Sequence, residues 1–349
     1  MAAMTRPKSA KPGAPAAEEK RRPVTSYDVA RRAGVSQSQV SRCFTPGAQV
    51  SAATRSKIML AVEALGYRPN AIARSLITQR SNMVAIVVAN IAYHPELTAS
   101  LSRTFARRGL TVLLFTLDHE SEADQVVDRI WQYRVDGVVA AVHLPAHHVG
   151  AFARRRMPLV FLNRLYDDVP ANSVCCDQVQ GERLLVDRLI ATGHRSFGIV
   201  SGPAESLVSQ QRVAEALERL GRAGITRIAI REGSFDYASG RRALNDLARS
   251  EDGLPEAVIC ANDMMAVGCL EALRGAGIAV PDDIALAGFD DIPIARYVNP
   301  PLTTAAVPIA EIGRQALECC ADLVAGRAIQ VQHIFKPEIV IRASSAARS

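Results

Sequence analysis

The chain has 349 residues, 48% hydrophobic and 22% charged. These globular proportions exclude wholesale disorder and collagen-like repeats, and the length suits two or three modules better than one core. No uninterrupted apolar stretch approaches the ~18 residues of a membrane span; the longest candidate, Met83 to Ala92, is broken by Asn90. The first 22 residues lack the apolar centre of a secretory signal. The seven cysteines are odd in number, with two vicinal pairs and no C-x-x-C. A cytoplasmic protein with reduced, buried thiols is expected, with no disulfide framework or zinc ribbon.

Charge divides unevenly along the chain. Residues 1–22 carry +4 and residues 23–81 carry +6, so a total of +6 leaves −4 for residues 82–349. A basic head on a mildly acidic body points to a polyanion contacted by the first quarter of the chain. The alternative is a solvated basic face.

Residues 1–22 are rich in Ala, Pro and charge and read as a disordered basic arm. Thr25, with Asp28 three positions on, predicts a capped helix that ends at Gly34. Ser36 and Gln39 form a capping-box pattern for a second helix carrying Gln37, Ser38, Ser41 and Arg42. Two short helices across a Gly-containing turn make a helix-turn-helix, and Gln, Ser and Arg can read base edges in a major groove. A third helix, capped by Ser51 and closed by Gly66, offers Ile58, Val62 and Leu65 as its apolar stripe. A small helical adaptor would show the same helix pattern.

The run Val24-Thr-Ser-Tyr-Asp-Val-Ala-Arg-Arg-Ala-Gly-Val-Ser36, then Gln39-Val-Ser-Arg42, Val50-Ser51 and Leu65-Gly-Tyr-Arg-Pro-Asn70, resembles the headpiece of the LacI/GalR family of bacterial transcription regulators. The resemblance implies a DNA-facing set of Tyr27, Ser36, Gln37, Ser38, Ser41 and Arg42, with Gln37 and Ser38 the principal specificity positions. It further implies a hinge helix, Ala71 to Ile77, that folds in the minor groove of bound DNA. Asn70, Arg74 and the wedge Leu76 are its contact residues. Cys43-Phe-Thr-Pro-Gly-Ala48 departs from the family's Leu-Asn and loop.

From Met83 onward, short apolar runs alternate with helical segments. Strands are expected at 84–89, 111–116, 137–142, 159–162, 173–176, 197–200, 227–230, 257–261 and 284–287. Continuous apolar runs suit parallel strands buried on both faces, hence a doubly wound α/β core. The restart at Phe197-Gly-Ile-Val200 suggests two similar lobes with a cleft at the carboxyl ends of their strands. Gly193-His-Arg195, Cys260-Ala-Asn-Asp-Met-Met-Ala-Val-Gly268, Ala287-Gly-Phe-Asp-Asp291 and Pro301-Leu-Thr-Thr304 extend the resemblance to the family's periplasmic-binding-protein-like core, over about residues 24–342. The implied division is 1–22 arm, 23–69 helix-turn-helix, 70–81 hinge, 82–176 with 306–332 as one lobe, and 177–305 with 333–349 as the other. Crossings are expected near Asp177, Ala306 and His333.

Carried over residue by residue, the resemblance makes Arg212, Asn262 and Asp290 polar ligand contacts and Phe235 an apolar one. Tyr93, His94 and Asn163 complete the site from the first lobe. Structural duties compete with each: Asp290 as a turn cap, Arg212 as a surface cation, Phe235 as core. The loop Ala92-Tyr-His-Pro-Glu96 replaces a more usual Asn-Pro-Phe-Phe, and Val307 replaces a polar residue. Arg164, His94 and Arg212 together would tolerate a carboxylate, hinting at a sugar acid.

Enzyme motifs are missing: no G-x-G-x-x-G follows a strand, and neither G-x-x-x-x-G-K-[ST] nor G-x-S-x-G occurs. His143, His147 and His148 have metal-like spacing, but Pro145 falls between them, so solvent-exposed histidines are expected and no metal or cofactor is assigned. The expected protein is a non-enzymatic repressor, a homodimer on a double-stranded DNA operator, answering to a sugar or sugar-acid effector and not to a membrane. No leucine heptads close the chain at Ile341 to Ser349, which favours a dimer over a tetramer. Two rivals are a regulator gated by a protein partner and a solute-binding protein, the latter expected to carry a signal peptide and no basic head.

Overall fold

The computed structural model describes residues 22, 24–45, 47–68, 80–88, 105, 107–117, 122–164, 171–251, 253–327 and 331–346. The expected basic arm, apart from Arg22, and the expected hinge helix lie outside these residues. The chain divides into two compact units, Met1–Gln79 and Arg80–Ser349.

The first unit holds three helices, α1 (Ser26–Ala33), α2 (Gln37–Cys43) and α3 (Ala52–Leu65). Their starts are fixed locally. The Asp28 carboxylate accepts from the Thr25 backbone N–H at 3.0 Å and from its hydroxyl at 2.7 Å. The Ser36 hydroxyl accepts from the Gln39 N–H at 3.3 Å, while the Gln39 side chain accepts from the Ser36 N–H at 3.1 Å. This reciprocal box satisfies two donors that the helix leaves without partners. Gly34 and Gly66 close α1 and α3 with φ of 66° and 60°, a left-handed conformation that costs glycine nothing. Val29, Ala30, Val40, Cys43, Ile58 and Ala61 form the core. Ala61 takes the central place expected of Val62, which lies half-buried at the edge with Leu65.

The second unit is two six-stranded sheets. The first contains β1 (Met83–Val88), β2 (Thr111–Thr116), β3 (Gly137–Ala140), β4 (Leu159–Leu162), β5 (Asn172–Cys176) and β11 (Gln332–Phe335), in the order β11-β5-β4-β3-β1-β2. The second contains β6 (Ser196–Ser201), β7 (Arg227–Glu232), β8 (Ala257–Cys260), β9 (Ala285–Asp290), β10 (Thr303–Ala306) and β12 (Glu338–Val340), in the order β12-β10-β9-β8-β6-β7. The same order recurs in both sheets, and in each the chain turns back beside its first strand. That topology opens a crevice beyond the carboxyl ends of the strands.

Helices cover both faces: α4 (Ala123–Tyr133) and α5 (Ala146–Arg154) in the first lobe, and α6 (Gln178–Ala191), α7 (Leu207–Arg222), α8 (Tyr237–Ala248) and α9 (Asp263–Gly275) in the second. A further helix, α10 (Ile309–Val324), returns to pack on β3, β4 and β5. Side-chain alternation explains the burial. Val84, Ile86 and Val88 of β1 face one cluster while Ala85 and Val87 face another. The first of these clusters is shared by the lobes, running from β1 through α6 and α10 to Phe197, Ile259 and Phe289. All seven cysteines are free and buried.

Three strands were not anticipated: β10, β11 and β12, whose sequences Thr303-Thr-Ala-Ala306, Gln332-His-Ile-Phe335 and Glu338-Ile-Val340 lack a continuous apolar run. They correct two boundaries. Ala306, expected to open the return to the first lobe, is the last residue of β10 in the second lobe's sheet. His333 lies inside β11, which pairs in parallel with β5 from Gln332↔Ser173 to Phe335↔Cys176. Residues 333–335 therefore belong to the first lobe. The third crossing follows at Lys336-Pro337, before β12 pairs antiparallel with β10.

Helices α8 and α9 approach backbone to backbone. A Cβ on Gly268 would overlap the Tyr237 carbonyl, and one on Gly240 would overlap the Met265 backbone. Gly268→Ala is expected to lose about 1–3 kcal/mol, as overpacking of a tight contact does. The check is a lowered urea midpoint of the full chain with an unchanged slope.

Candidate functional site

On the headpiece, the exposed start of α2 carries the base-reading candidates. Ser38 and Arg42 are exposed, and Tyr27 is 67% exposed on α1. Gln37, half-buried, donates from Nε2 to the Ser26 hydroxyl at 3.3 Å. The Ser36 and Ser38 hydroxyls lie 2.9 Å apart. Ser36 is occupied as the helix cap, and half-buried Ser41 presents its carbonyl to the Thr45 hydroxyl at 2.9 Å. Gln39, polar and on the same helix, is held by its capping bonds and so is not presented like its neighbours. Asn70, Arg74 and Leu76 lie outside the described residues.

In the core, a narrow cleft open to solvent lies between the lobes. His143, Asn163, Arg164, Cys175 and Cys176 line it from the first lobe, and Gln178, Leu207, Val208 and Gln211 from the second. Asn163 ends β4 with φ of 56°, and its side-chain oxygen accepts from the Cys176 N–H at 3.2 Å and from Gln178 Nε2 at 3.1 Å. Gln178 uses its other end on Arg212, accepting from Nε at 3.0 Å and Nη2 at 2.6 Å. Arg212 Nη1 donates to the Ala261 carbonyl, Nη2 lies 3.6 Å from Asp290, and the guanidinium stacks 3.5 Å above the Phe289 ring centroid. Asn163, Arg212 and Asp290 are thus brought together through Gln178.

Phe235 and Asn262 form a separate pair beside this chain of contacts. Asn262 caps α9, accepting from the Met265 N–H at 2.9 Å, and donates to the Phe235 carbonyl at 2.9 Å. Phe235, at φ of 60°, lays its ring over Gly202 and packs on the second lobe's core. Tyr93 and His94 lie outside the described residues. Sequence reasoning missed Gln178, Gln211 and His143. Gln178 follows the capping residue Asp177 at the first crossing, and Gln211 adjoins Arg212; those neighbours were the available signals.

The cluster is a buried cation among acids. Burial pushes Arg212 down, opposed first by Asp290 and then by Glu182. Glu182, one turn after Gln178, is also buried, and its Oε2 accepts no hydrogen bond among the described residues. Burial pushes Glu182 up to about 8, with Arg212 opposing and Glu215 reinforcing. Burial likewise raises Asp263, which accepts from the Thr304 hydroxyl at 2.6 Å and the Ile292 N–H at 2.9 Å. Burial also raises the Cys175 and Cys176 thiols, to about 11 and about 12, which leaves them protonated and unreactive.

A helix-turn-helix unit followed by a two-lobed α/β core with an interlobe cleft defines a class: regulators that couple a DNA-binding headpiece to a binding core. Residues 25–70 match the bacterial regulatory proteins of the lacI family, and residues 186–345 match the periplasmic binding protein-like domain. The chain is 34% identical to the HTH-type transcriptional regulator GalS of Salmonella typhimurium over 332 residues, covering 93% of this chain and 97% of GalS. The lac repressor dimer bound to operator and the anti-inducer ONPF superposes with a TM-score of 0.84 at 30% identity, covering 93% and 100% of the two chains. A complex of the transcriptional regulator CelR with cellobiose gives 0.69 at 27% identity, covering 92% and 99%. The chain belongs to the LacI family and is a DNA-binding transcriptional regulator. Its relatives are regulators and not enzymes. Among the described residues no helix is long and apolar enough to cross a membrane.

The Glu182 environment sets a pH dependence. Between its ordinary 4.5 and about 8 the folded chain keeps a proton that the unfolded chain has released, so stability falls as pH rises through that window. The slope reaches at most about 1.4 kcal/mol per pH unit. Glu182→Gln is expected to flatten this decline, measured as chemical unfolding of both proteins from pH 5 to 8.

Proposed function

We propose that the protein represses transcription from a pseudo-palindromic operator as a cytoplasmic homodimer, and that a small polyhydroxylated effector, a sugar or sugar acid, binds in the interlobe cleft. The observation that carries the effector assignment is the cleft's polar lining. His143, Asn163, Arg164, Gln178 and Gln211 offer donors and acceptors from both lobes, suited to a ligand rich in hydroxyls. Arg164 and His143 favour an acidic group on that ligand. The cellobiose bound to CelR and the anti-inducer bound to the lac repressor support the same reading.

On DNA, Gln37, Ser38 and Arg42 are the base-reading side chains and Tyr27 a phosphate contact, with Asn70, Arg74 and Leu76 in the hinge. Backbone contacts from the basic head supply salt-dependent affinity, and twofold symmetry of the dimer selects a twofold site. Effector binding favours one arrangement of the lobes and so alters operator affinity, a coupling that is reciprocal by linkage. Arg212 acts in this scheme by holding Gln178 and Asp290 in place beside the ligand.

Fluorescence anisotropy with a labelled fragment of the protein's own promoter tests both halves. The expected preference over random duplex is about 10³-fold or more at moderate salt. Gln37→Ala is expected to lose about 1–3 kcal/mol of base discrimination. Gln211→Ala is expected to keep operator affinity and weaken the response to sugars. Equal affinity for random duplex would remove the operator assignment. A promoter complex unmoved by a panel of sugars and sugar acids would remove the effector assignment. Light scattering of the full chain should return the mass of two chains.

A further inference from the structure

Helices α4 and α5 of the first lobe meet at their N-terminal ends through three side chains outside the cleft. Pro145 parts His143 from the helix, as expected, and stands as the cap of α5, so His147 and His148 share its first turn. His148 is buried, contrary to the exposure expected from sequence, as are Val149 and Phe152 of the same helix. Its Nε2 lies 2.6 Å from the Asp124 carboxylate, and the Nε2 of exposed His147 lies 3.6 Å from the same oxygen. The two imidazoles are 4.0 Å apart between centroids. One ligand atom from each of the three residues falls within 4.8 Å of the others.

We propose that Asp124, His147 and His148 form a binding site for a divalent first-row transition ion, of which zinc is the representative. Two imidazoles and a carboxylate are the donor set that such ions select, and neither magnesium nor calcium favours imidazole. Tetrahedral zinc with bonds near 2.0–2.1 Å separates its ligand atoms by about 3.3 Å. The two carboxylate–imidazole separations, 2.6 and 3.6 Å, bracket that value, and all three ligand atoms lie within 4.8 Å of one another, so side-chain rotation brings them to the ion. Binding uses the Nε2 lone pair of His148. The hydrogen this nitrogen now shares with the carboxylate moves to Nδ1 or to solvent, and the metal–nitrogen and metal–oxygen bonds replace the hydrogen bond. Exposure of Asp124 and His147 gives the ion an entry path and leaves its remaining position to water, while buried His148 fixes the site to the core. The ion would tie α4 to α5 beside the loop that carries His143 into the cleft.

The test uses tag-free full-length protein, stripped with chelator and titrated with zinc chloride by calorimetry. Binding of one ion per chain is expected, with a raised midpoint of thermal unfolding. Asp124→Asn and His147→Asn alter exposed side chains and should each weaken zinc affinity at least about tenfold. His148→Gln should do the same, and the two exposed variants decide the matter if that one fails to fold. Absence of binding would overturn the site. Binding that is equal in wild type, Asp124→Asn and His147→Asn would also overturn it, because the ion would then be held elsewhere and Asp124 and His148 would be only a hydrogen-bonded clamp.

Discussion

The guanidinium of Arg212 lies out of water between two lobes, and the cleft's arrangement follows from how its charge is met. Its donors end on the Gln178 side chain and the Ala261 carbonyl, and its π face rests on Phe289. A buried cation is tolerable only with hydrogen bonds and a compensating anion, and Asp290 is the acid placed nearest. Glu182 and Asp263 are driven by burial toward the neutral form, so the pocket does not accumulate uncompensated negative charge. Because Gln178 also donates to Asn163, the bonding continues from the second lobe to the end of a first-lobe strand.

What was legible in the sequence was what local chemistry decides. Capping at Thr25, Ser36 and Ser51 and the glycine stops at 34 and 66 are short-range events, and each has its expected partner in the structure. The central strands were legible because both faces of β1 and β8 are buried, which demands an unbroken apolar run. The strands β10, β11 and β12 were not, because their places come from pairing partners and not from their own composition: Phe335 of β11 finds the distant Cys176, and β10 lies between β9 and β12. Their compositions carry no comparable signal.

Individual side chains followed the same division. Arg212 and Asp290 were found at sequence level through their motif neighbours, but the partner that joins Arg212 to Asn163 was not. A glutamine one residue past a helix cap has no pattern that distinguishes it from solvent-facing glutamines. His148 was misread for a related reason. Pro145 does part His143 from the helix, but α5 begins directly after it, because proline suits a helix start, where a missing N–H costs nothing, and that start turns His148 inward. Asn262 and Phe235 show the converse. Their motif is present, and in the structure their polar contacts are largely with each other and with the α9 backbone.

The three crossings between lobes are tied in register to the Arg212 cluster. The first runs through Asp177 directly into Gln178. The second leaves β10 where Ala306 pairs with Asp290, and the third leaves β11 where Phe335 pairs with Cys176. The chain therefore passes from lobe to lobe beside the residues that hold the guanidinium. Rotation of one lobe on the other displaces atoms in proportion to their distance from the axis, and these covalent links place the axis near that cluster. Gln178 and Arg212 sit beside those links, while the facing walls of the cleft carry His143 on one side and Leu207 with Gln211 on the other. A molecule bridging those walls would favour one lobe angle over another.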